Sequence, residues 1–413
     1  MATIFPFQPH RYSPKAGPLQ HLVTQPYDKI SPEMRQRYLA ASPYNLVRVI
    51  LGERHPADSE SDNVYTRAAH YLDAWTAEGI LGRDAEPGLF AYFQEFTVPD
   101  SGERLVRKSF IGLGAVEDYS AGVVYRHEQT LSGPKKDRLE LLRHTHAHFG
   151  QLFMLYPDPA GEIDSLLDEA AAAPPLGAVT DEYGARHSFW KISEAGRIAV
   201  IRQRMADKKL LIADGHHRYE TALAFHRENP ALPGADRVMM TFVNMHSPGL
   251  KILATHRVVG GIPNFDPGEF IRQAAAGFEV AQIPSLEALQ RAWAESPDRA
   301  IIGAAIAARV YLIEARDSAG QLDVAVLHDR LLRGLLGIGE EAVREEKNLR
   351  YVRGLDAAVA EARSGAAQIA FLLKPVSVDA VARISFGGGV MPQKSTDFYP
   401  KLLSGLTIYR LES

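Results

Sequence analysis

Asp214, His216, His217 and Arg218 fall within five residues of one another, in Leu210-Leu211-Ile212-Ala213-Asp214-Gly215-His216-His217-Arg218-Tyr219-Glu220-Thr221-Ala222-Leu223. An apolar run enters an Asp-Gly turn and an alanine- and leucine-rich segment follows. The pattern predicts strand, sharp turn, helix. The polar side chains then sit on the turn and the first helical turn, where free N–H groups and the helix dipole favour anions. A carboxylate, two imidazoles and a guanidinium there make a phosphate-sized anion site with acid–base groups beside it. A simpler role for Asp214 is to cap a helix starting at Gly215, its carboxylate accepting the His217 N–H. A cap does not account for three consecutive basic or titratable side chains where the dipole disfavours positive charge.

A second dense cluster is His127-Glu128-Gln129-Thr130-Leu131-Ser132-Gly133-Pro134-Lys135-Lys136-Asp137-Arg138, between an expected strand at Val123-Val124-Tyr125 and a helix. Glu128 has the chemistry of a general base or metal ligand, and Lys135 and Arg138 that of phosphate ligands. A solvated Ser-Gly-Pro turn explains the same residues equally well. His144, His146 and His148 alternate on an expected helix; residues two apart do not face each other, which argues against a three-histidine metal site. Thr255-His256-Arg257 follows a short apolar strand at Leu250–Ala254. Gly387-Gly388-Gly389 leads into Met391-Pro392-Gln393-Lys394-Ser395-Thr396, a composition suited to a phosphate loop and also to an ordinary glycine loop.

Expected strands lie at Leu46–Leu51, Leu89–Phe96, Ser109–Leu113, Val238–Val243, Ala300–Ala304, Val310–Ile313 and Ala370–Leu373. Expected helices cover Val64–Ala77, with Ala68, Tyr71, Leu72 and Trp75 on one face, then Asp137–Phe149 and the region of Leu286, Leu289 and Trp293. Elements of both kinds are interspersed without a βαβ rhythm, so the expected class is a mixed α/β or α+β fold. Glu169 through Pro174-Pro175 reads equally as a boundary or as a helix with its proline stop. The 413 residues divide into expected regions 1–170, 176–275 and 276–413, forming one integrated unit. With 46% hydrophobic residues, no apolar run near the roughly 18 residues of a membrane span and no signal-peptide pattern, the expected location is the cytoplasm. The absence of cysteine removes thiolate nucleophiles, disulfides and Cys-ligated metals. A net charge of −4 argues against nucleic acid as partner. No Walker or dinucleotide fingerprint is present. A homo-oligomer is compatible with the sequence.

The chain resembles the bacterial and archaeal domain-of-unknown-function family 1015 almost end to end. The matching motifs are Pro26-Tyr27-Asp28 with Ile30-Ser31-Pro32; Pro43-Tyr44-Asn45; His127-Glu128 with Thr130, Pro134-Lys135 and Asp137-Arg138-Leu139; Ala213 through Leu223; Pro248-Gly249-Leu250 with Thr255-His256-Arg257; and Met391 through Thr396 with Phe398-Tyr399-Pro400-Lys401 and Ser404-Gly405-Leu406. Asp397 departs from the pattern, which has an aromatic residue there. The central motif is similar to the phosphate-binding turn of the ParB/sulfiredoxin-like superfamily. Sulfiredoxin chemistry needs a cysteine where His216 stands, and a ParB-like clamp would carry a helix-turn-helix and a basic surface. The wording is closest to that of free serine kinases. This resemblance implies a small-molecule phosphotransferase using ATP or ADP and Mg²⁺. Asp214 and Glu128 would divide the roles of base and metal ligand, with His216 and His217 beside them. Gly215, Arg218, Glu220, Thr130, Lys135, Arg138, His256, Arg257, Lys394, Ser395 and Thr396 would surround nucleotide and phosphate. A phosphohydrolase acting on a metabolite such as phosphoserine and a non-enzymatic nucleotide-binding protein remain open alternatives.

Overall fold

The computed structural model describes residues 2–99, 101–128 and 132–411, with Ser132, Gly133 and Pro134 described by backbone alone. Thr130 lies outside the described residues. The chain forms two compact units: residues 1–98, 103–251 and 400–413 in one, residues 99–102 and 252–399 in the other.

The first unit is built on a mixed sheet ordered Val124–Tyr125, Leu210–Asp214, Leu152–Tyr156, Arg237–Asn244, Arg104–Ala115, Leu89–Thr97, Arg186–Ile192 and Gly177–Thr180, with Ile4–Phe5 also pairing Arg104–Ala115. Leu210–Asp214 runs parallel to Val124–Tyr125 and antiparallel to Leu152–Tyr156. The central strands are buried on both faces, so they read as apolar runs without alternation. Leu152 through Tyr156 are all buried, as are Leu210 through Ala213. One core joins Phe110, Met154, Ile212, Phe242 and the helix residue Tyr219.

Local chemistry explains most element boundaries. The helix Val64–Ala77 opens with a capping box in which Asn63 and Thr66 satisfy each other's backbone N–H groups. It buries Ala68, Leu72 and Trp75, while Tyr71 stays at the edge against Trp75. The helix Glu162–Ala171 stops before Pro174-Pro175, and the strand Gly177–Thr180 follows. Two expectations fail. Leu46–Leu51 is not a strand: Val47–Ile50 is a helical turn, because the buried Asn45 side chain accepts the Val47 N–H at 2.9 Å and starts it. Tertiary burial of Val47, Val49 and Ile50 then overrides the β-preference of branched residues. The helix expected to reach Phe149 spans Ser132–Thr145, where His146 enters the left-handed region at φ 46° and Ala147–His148 becomes a short strand. His144, His146 and His148 accordingly meet different rings, those of Tyr65, Phe225 and Tyr409.

The second unit carries an antiparallel sheet ordered Phe278–Ile283, Arg309–Ala315, Ile301–Ile306, Ile369–Leu372, Thr255–Val259 and Leu349–Arg353. Val259, Ile302, Leu331 and Phe371 join one apolar cluster, and helices Leu286–Glu295 and Leu355–Ser364 supply another with Val258 and Leu372. Among the described residues no helix is long and apolar enough to cross a membrane.

Candidate functional site

The chemistry-bearing turn of the first unit begins where Leu210–Asp214 shifts register against its neighbour between Ile212 and Asp214. Such an irregularity re-aims a side chain. Gly215 then adopts φ +99°, and a Cβ there would lie 2.9 Å from Leu152 Cδ2 and 3.1 Å from Arg218 Cζ. Conformation and space both demand glycine. The helix His216–Glu228 starts from Gly215 with no side-chain cap. Asp214 is therefore not the N-cap. It ends the strand, and its carboxylate turns to two cations.

Lys401 Nζ donates to Asp214 Oδ2 at 3.0 Å, and Arg218 Nη2 to Oδ1 at 3.3 Å. Burial alone would raise the Asp214 pKa. Lys401 first, then Arg218 and Lys29, outweigh it and hold the carboxyl well below the ordinary range. Arg218 also donates to the Gln151 carbonyl, which fixes its guanidinium across the turn. The backbone behind Lys401 is clamped in turn. Gln94 donates to the Lys401 carbonyl at 2.8 Å and accepts from Arg107 Nε at 3.0 Å, while Arg107 also donates to the Pro400 carbonyl. Arg107 is fully buried over the Phe153 ring, and burial lowers its pKa to about 9, so it stays protonated at neutral pH.

His127 and His216 meet edge to face, ring centroids 4.6 Å apart. The His127 backbone N–H donates to His216 Nε2 at 3.4 Å, which places the neutral His216 hydrogen on Nδ1. His127 Nδ1 lies 2.7 Å from the Ile212 carbonyl, which can only accept, so that nitrogen carries the hydrogen. Burial lowers both pKa values, and in His216 the neighbouring His127 lowers it further. Both rings are neutral near pH 7. His127 Nε2 faces Glu128 Oε1 at 3.7 Å, and Asp214 is another electrostatic neighbour of the same ring. Both carboxylates thus raise the pKa of the same imidazole against its burial.

One turn along the helix, Glu220 pairs with Lys135 at 2.6 Å and lies 3.6 Å from Arg126. This group borders a cleft of about 510 Å³ that also exposes Lys136 and Arg227. His217 is half-buried; burial lowers its pKa against the opposing charges of Glu220 and Asp28. Arg138 stacks 4.2 Å over Tyr27 and donates to the Ile50 carbonyl at 2.8 Å. With Arg218 it lines a small cavity of about 60 Å³.

His256, Arg257, Lys394, Ser395 and Thr396 belong to the second unit. Arg257 donates to the Lys394 carbonyl at 3.0 Å and the Gln393 carbonyl at 3.3 Å. It thereby holds Lys394 at φ 57°. Ser395 is turned inward onto the Pro392 carbonyl. His256 Nδ1 accepts the Leu373 N–H at 3.2 Å. The glycine run ahead of this loop is a helix stop. The N–H groups of Gly387, Gly388 and Gly389 return to the carbonyls of Arg383, Ser385 and Ile384 and end the helix Val378–Phe386.

Residues 4–351 match the family described as protein of unknown function DUF1015. The chain belongs to the DUF1015 family. No curated protein matches it. Among solved structures, a free serine kinase in complex with AMP is 15% identical, with a TM-score of 0.39 over 70% of this chain and 88% of that one. A conserved hypothetical protein from Pyrococcus furiosus is 16% identical, with a TM-score of 0.35 over 67% and 87% of the two chains. SbnI from Staphylococcus aureus, truncated at its C-terminus, is 10% identical, with a TM-score of 0.36 over 72% and 87%.

In this DUF1015 chain the first unit gathers Glu128, Lys135, Arg138, Asp214, Gly215, His216, His217, Arg218 and Glu220 around one turn. Residue reasoning did not single out Lys401, His127, Lys29 or Arg126 as site groups. Lys401 had a signal in its Phe-Tyr-Pro-Lys motif and His127 in its pairing with Glu128; Lys29 and Arg126 had none. Among the described residues no group of three or more metal-ligating side chains is assembled. Mg²⁺ needs only one or two carboxylates beside nucleotide phosphates. Glu128 suits that better than Asp214, whose oxygens already meet Lys401 and Arg218.

Proposed function

We propose that this chain is a nucleotide-dependent phosphotransferase acting on a hydroxyl group of a small molecule, with a serine-kinase-like reaction on a ParB/sulfiredoxin-like strand–turn–helix core. The supporting observation is the ionised Asp214 at a strand end, with Lys401 and Arg218 on its two oxygens, beside the helix start that no side chain caps. The uncapped N–H groups of the helix start, with Arg218, would receive the phosphates of ATP or ADP. Lys401 would neutralise charge on the transferred phosphoryl group. The substrate oxygen would attack the terminal phosphorus, the bond to the nucleotide's bridging oxygen would break, the shortened nucleotide would leave with that electron pair, and the hydroxyl proton would pass to Asp214 once Lys401 and Arg218 turn from its oxygens to the phosphates. Glu128 would hold Mg²⁺, which would supply positive charge against the nucleotide phosphates. Lys135 with Glu220 would border the nucleotide. A cytoplasmic location belongs to the same proposal.

The test is ³¹P NMR of the full chain with Mg²⁺. One sample holds L-serine with ATP or ADP, and another holds phosphoserine alone. A new phosphomonoester signal that requires nucleotide is expected. Inorganic phosphate released from phosphoserine alone would replace this reading with a phosphohydrolase.

A further inference from the structure

The second unit contains a cavity of about 300 Å³ made wholly of its own residues. At about 30 Å³ per water in the liquid, that is the space of roughly ten waters, enough for a small metabolite. On its wall stands Asp323, with only 4% of its side-chain surface exposed. Neither of its carboxylate oxygens has a hydrogen-bond partner among the described residues. The nearest cation, Lys374 Nζ, is 3.6 Å from Oδ1 and directs two of its three hydrogens to the Pro297 and Arg299 carbonyls, each at 2.8 Å. Burial pushes the Asp323 carboxyl up to about 6, against the pull of Lys374 and weaker pulls from the Ile301 and Asp323 backbone N–H groups, so it is mostly ionised at neutral pH. A carboxylate this deeply buried, with no donor at ordinary hydrogen-bond geometry, is costly unless something supplies one.

The remaining charges define what that is. Arg257, Lys374 and Arg383 face Asp298, Asp323 and Asp379, three cations against three anions, and the Trp293 ring adds an apolar wall. A balanced lining disfavours a phosphate dianion and a polyamine alike. It suits a molecule with both signs. We infer that this cavity binds a free α-amino acid, its ammonium group on Asp323 and its carboxylate toward the exposed Arg383. The inference is independent of the phosphotransferase reading.

The test uses the full-length chain and a mixture of the standard L-amino acids that lack a hydroxyl group, so that no phosphoryl acceptor is present. Saturation-transfer NMR at neutral pH finds the binder and calorimetry measures it. Asp323→Asn should weaken binding by about tenfold or more, the scale of one charge-assisted hydrogen bond. Arg383→Gln, at an exposed position with no part in the core, should weaken it severalfold, and removal of the ligand's amino group should weaken it at least as much as Asp323→Asn does. Asp214→Asn should leave binding unchanged. Absence of binding to the wild-type chain, binding indifferent to both Asp323→Asn and Arg383→Gln, or loss of binding with Asp214→Asn would overturn the assignment.

Discussion

Asp214 is held by charges that come from far away in the chain. Arg218 is its neighbour on the same turn, but Lys401 is 187 residues distant. Local spacing therefore made Asp214, His216, His217 and Arg218 visible, while the second cation appeared only as part of a motif without a role. Lys401→Met leaves Asp214 with Arg218 as its remaining close contact and removes a charge from the proposed transfer site. It should lower the phosphotransfer kcat by roughly 100-fold, as loss of one transition-state donor does. Nucleotide affinity by calorimetry should change much less. An equal loss in both would assign Lys401 to ground-state binding. The clamp behind it makes a related prediction. Gln94→Leu removes the hydrogen bonds to the Lys401 carbonyl and from Arg107 and leaves Arg107 buried with fewer acceptors, so the chain should lose about 2–3 kcal/mol in urea titration.

At the scale of elements, the strand–glycine–helix turn was legible because three signals agree: an apolar run, an Asp-Gly pair and a helix-forming segment. The error lay in the cap. Asp214 followed by Gly215 looks like a helix N-cap until the left-handed Gly215 adds one residue between strand end and helix start. Gly215→Ala should cost about 2 kcal/mol, from strain at φ +99° and the approach of Leu152. A urea midpoint unchanged by this substitution would refute that account of the turn. Val47–Ile50 shows the opposite balance, with β-branched residues made helical by Asn45 and by burial. Asn45 is buried and also donates to the His21 carbonyl at 2.8 Å. Asn45→Ala should therefore destabilise the chain by about 2 kcal/mol despite removing no apolar contact.

At the scale of the whole molecule, the mixed α/β class follows from the interspersed patterns, whereas the return of residues 400–413 to the first unit carries no local signal. Apolar periodicity tells a strand which face to bury but not which distant segment completes its sheet. Buried neutral histidines give the molecule a common pH response. Burial first, and Arg257 next, push His256 and His328 down to about 4. As pH falls below their unfolded value near 6.5, the unfolded chain takes up protons that the folded chain refuses. Stability is then lost progressively down to about pH 4. The fully buried His256 contributes a slope of up to about 1.4 kcal/mol per pH unit in that window. Urea midpoints from pH 7 to 4 should show the decline, and His256→Asn should flatten it. The central claim concerns catalysis by Asp214, and it is tested most directly by the rate of phosphomonoester formation from L-serine and saturating nucleotide, wild type against Asp214→Asn. The account predicts nucleotide-dependent product from the wild type and a loss of at least about 100-fold in the variant, with nucleotide still bound. Equal rates in both proteins, or no product from the wild type, would contradict it.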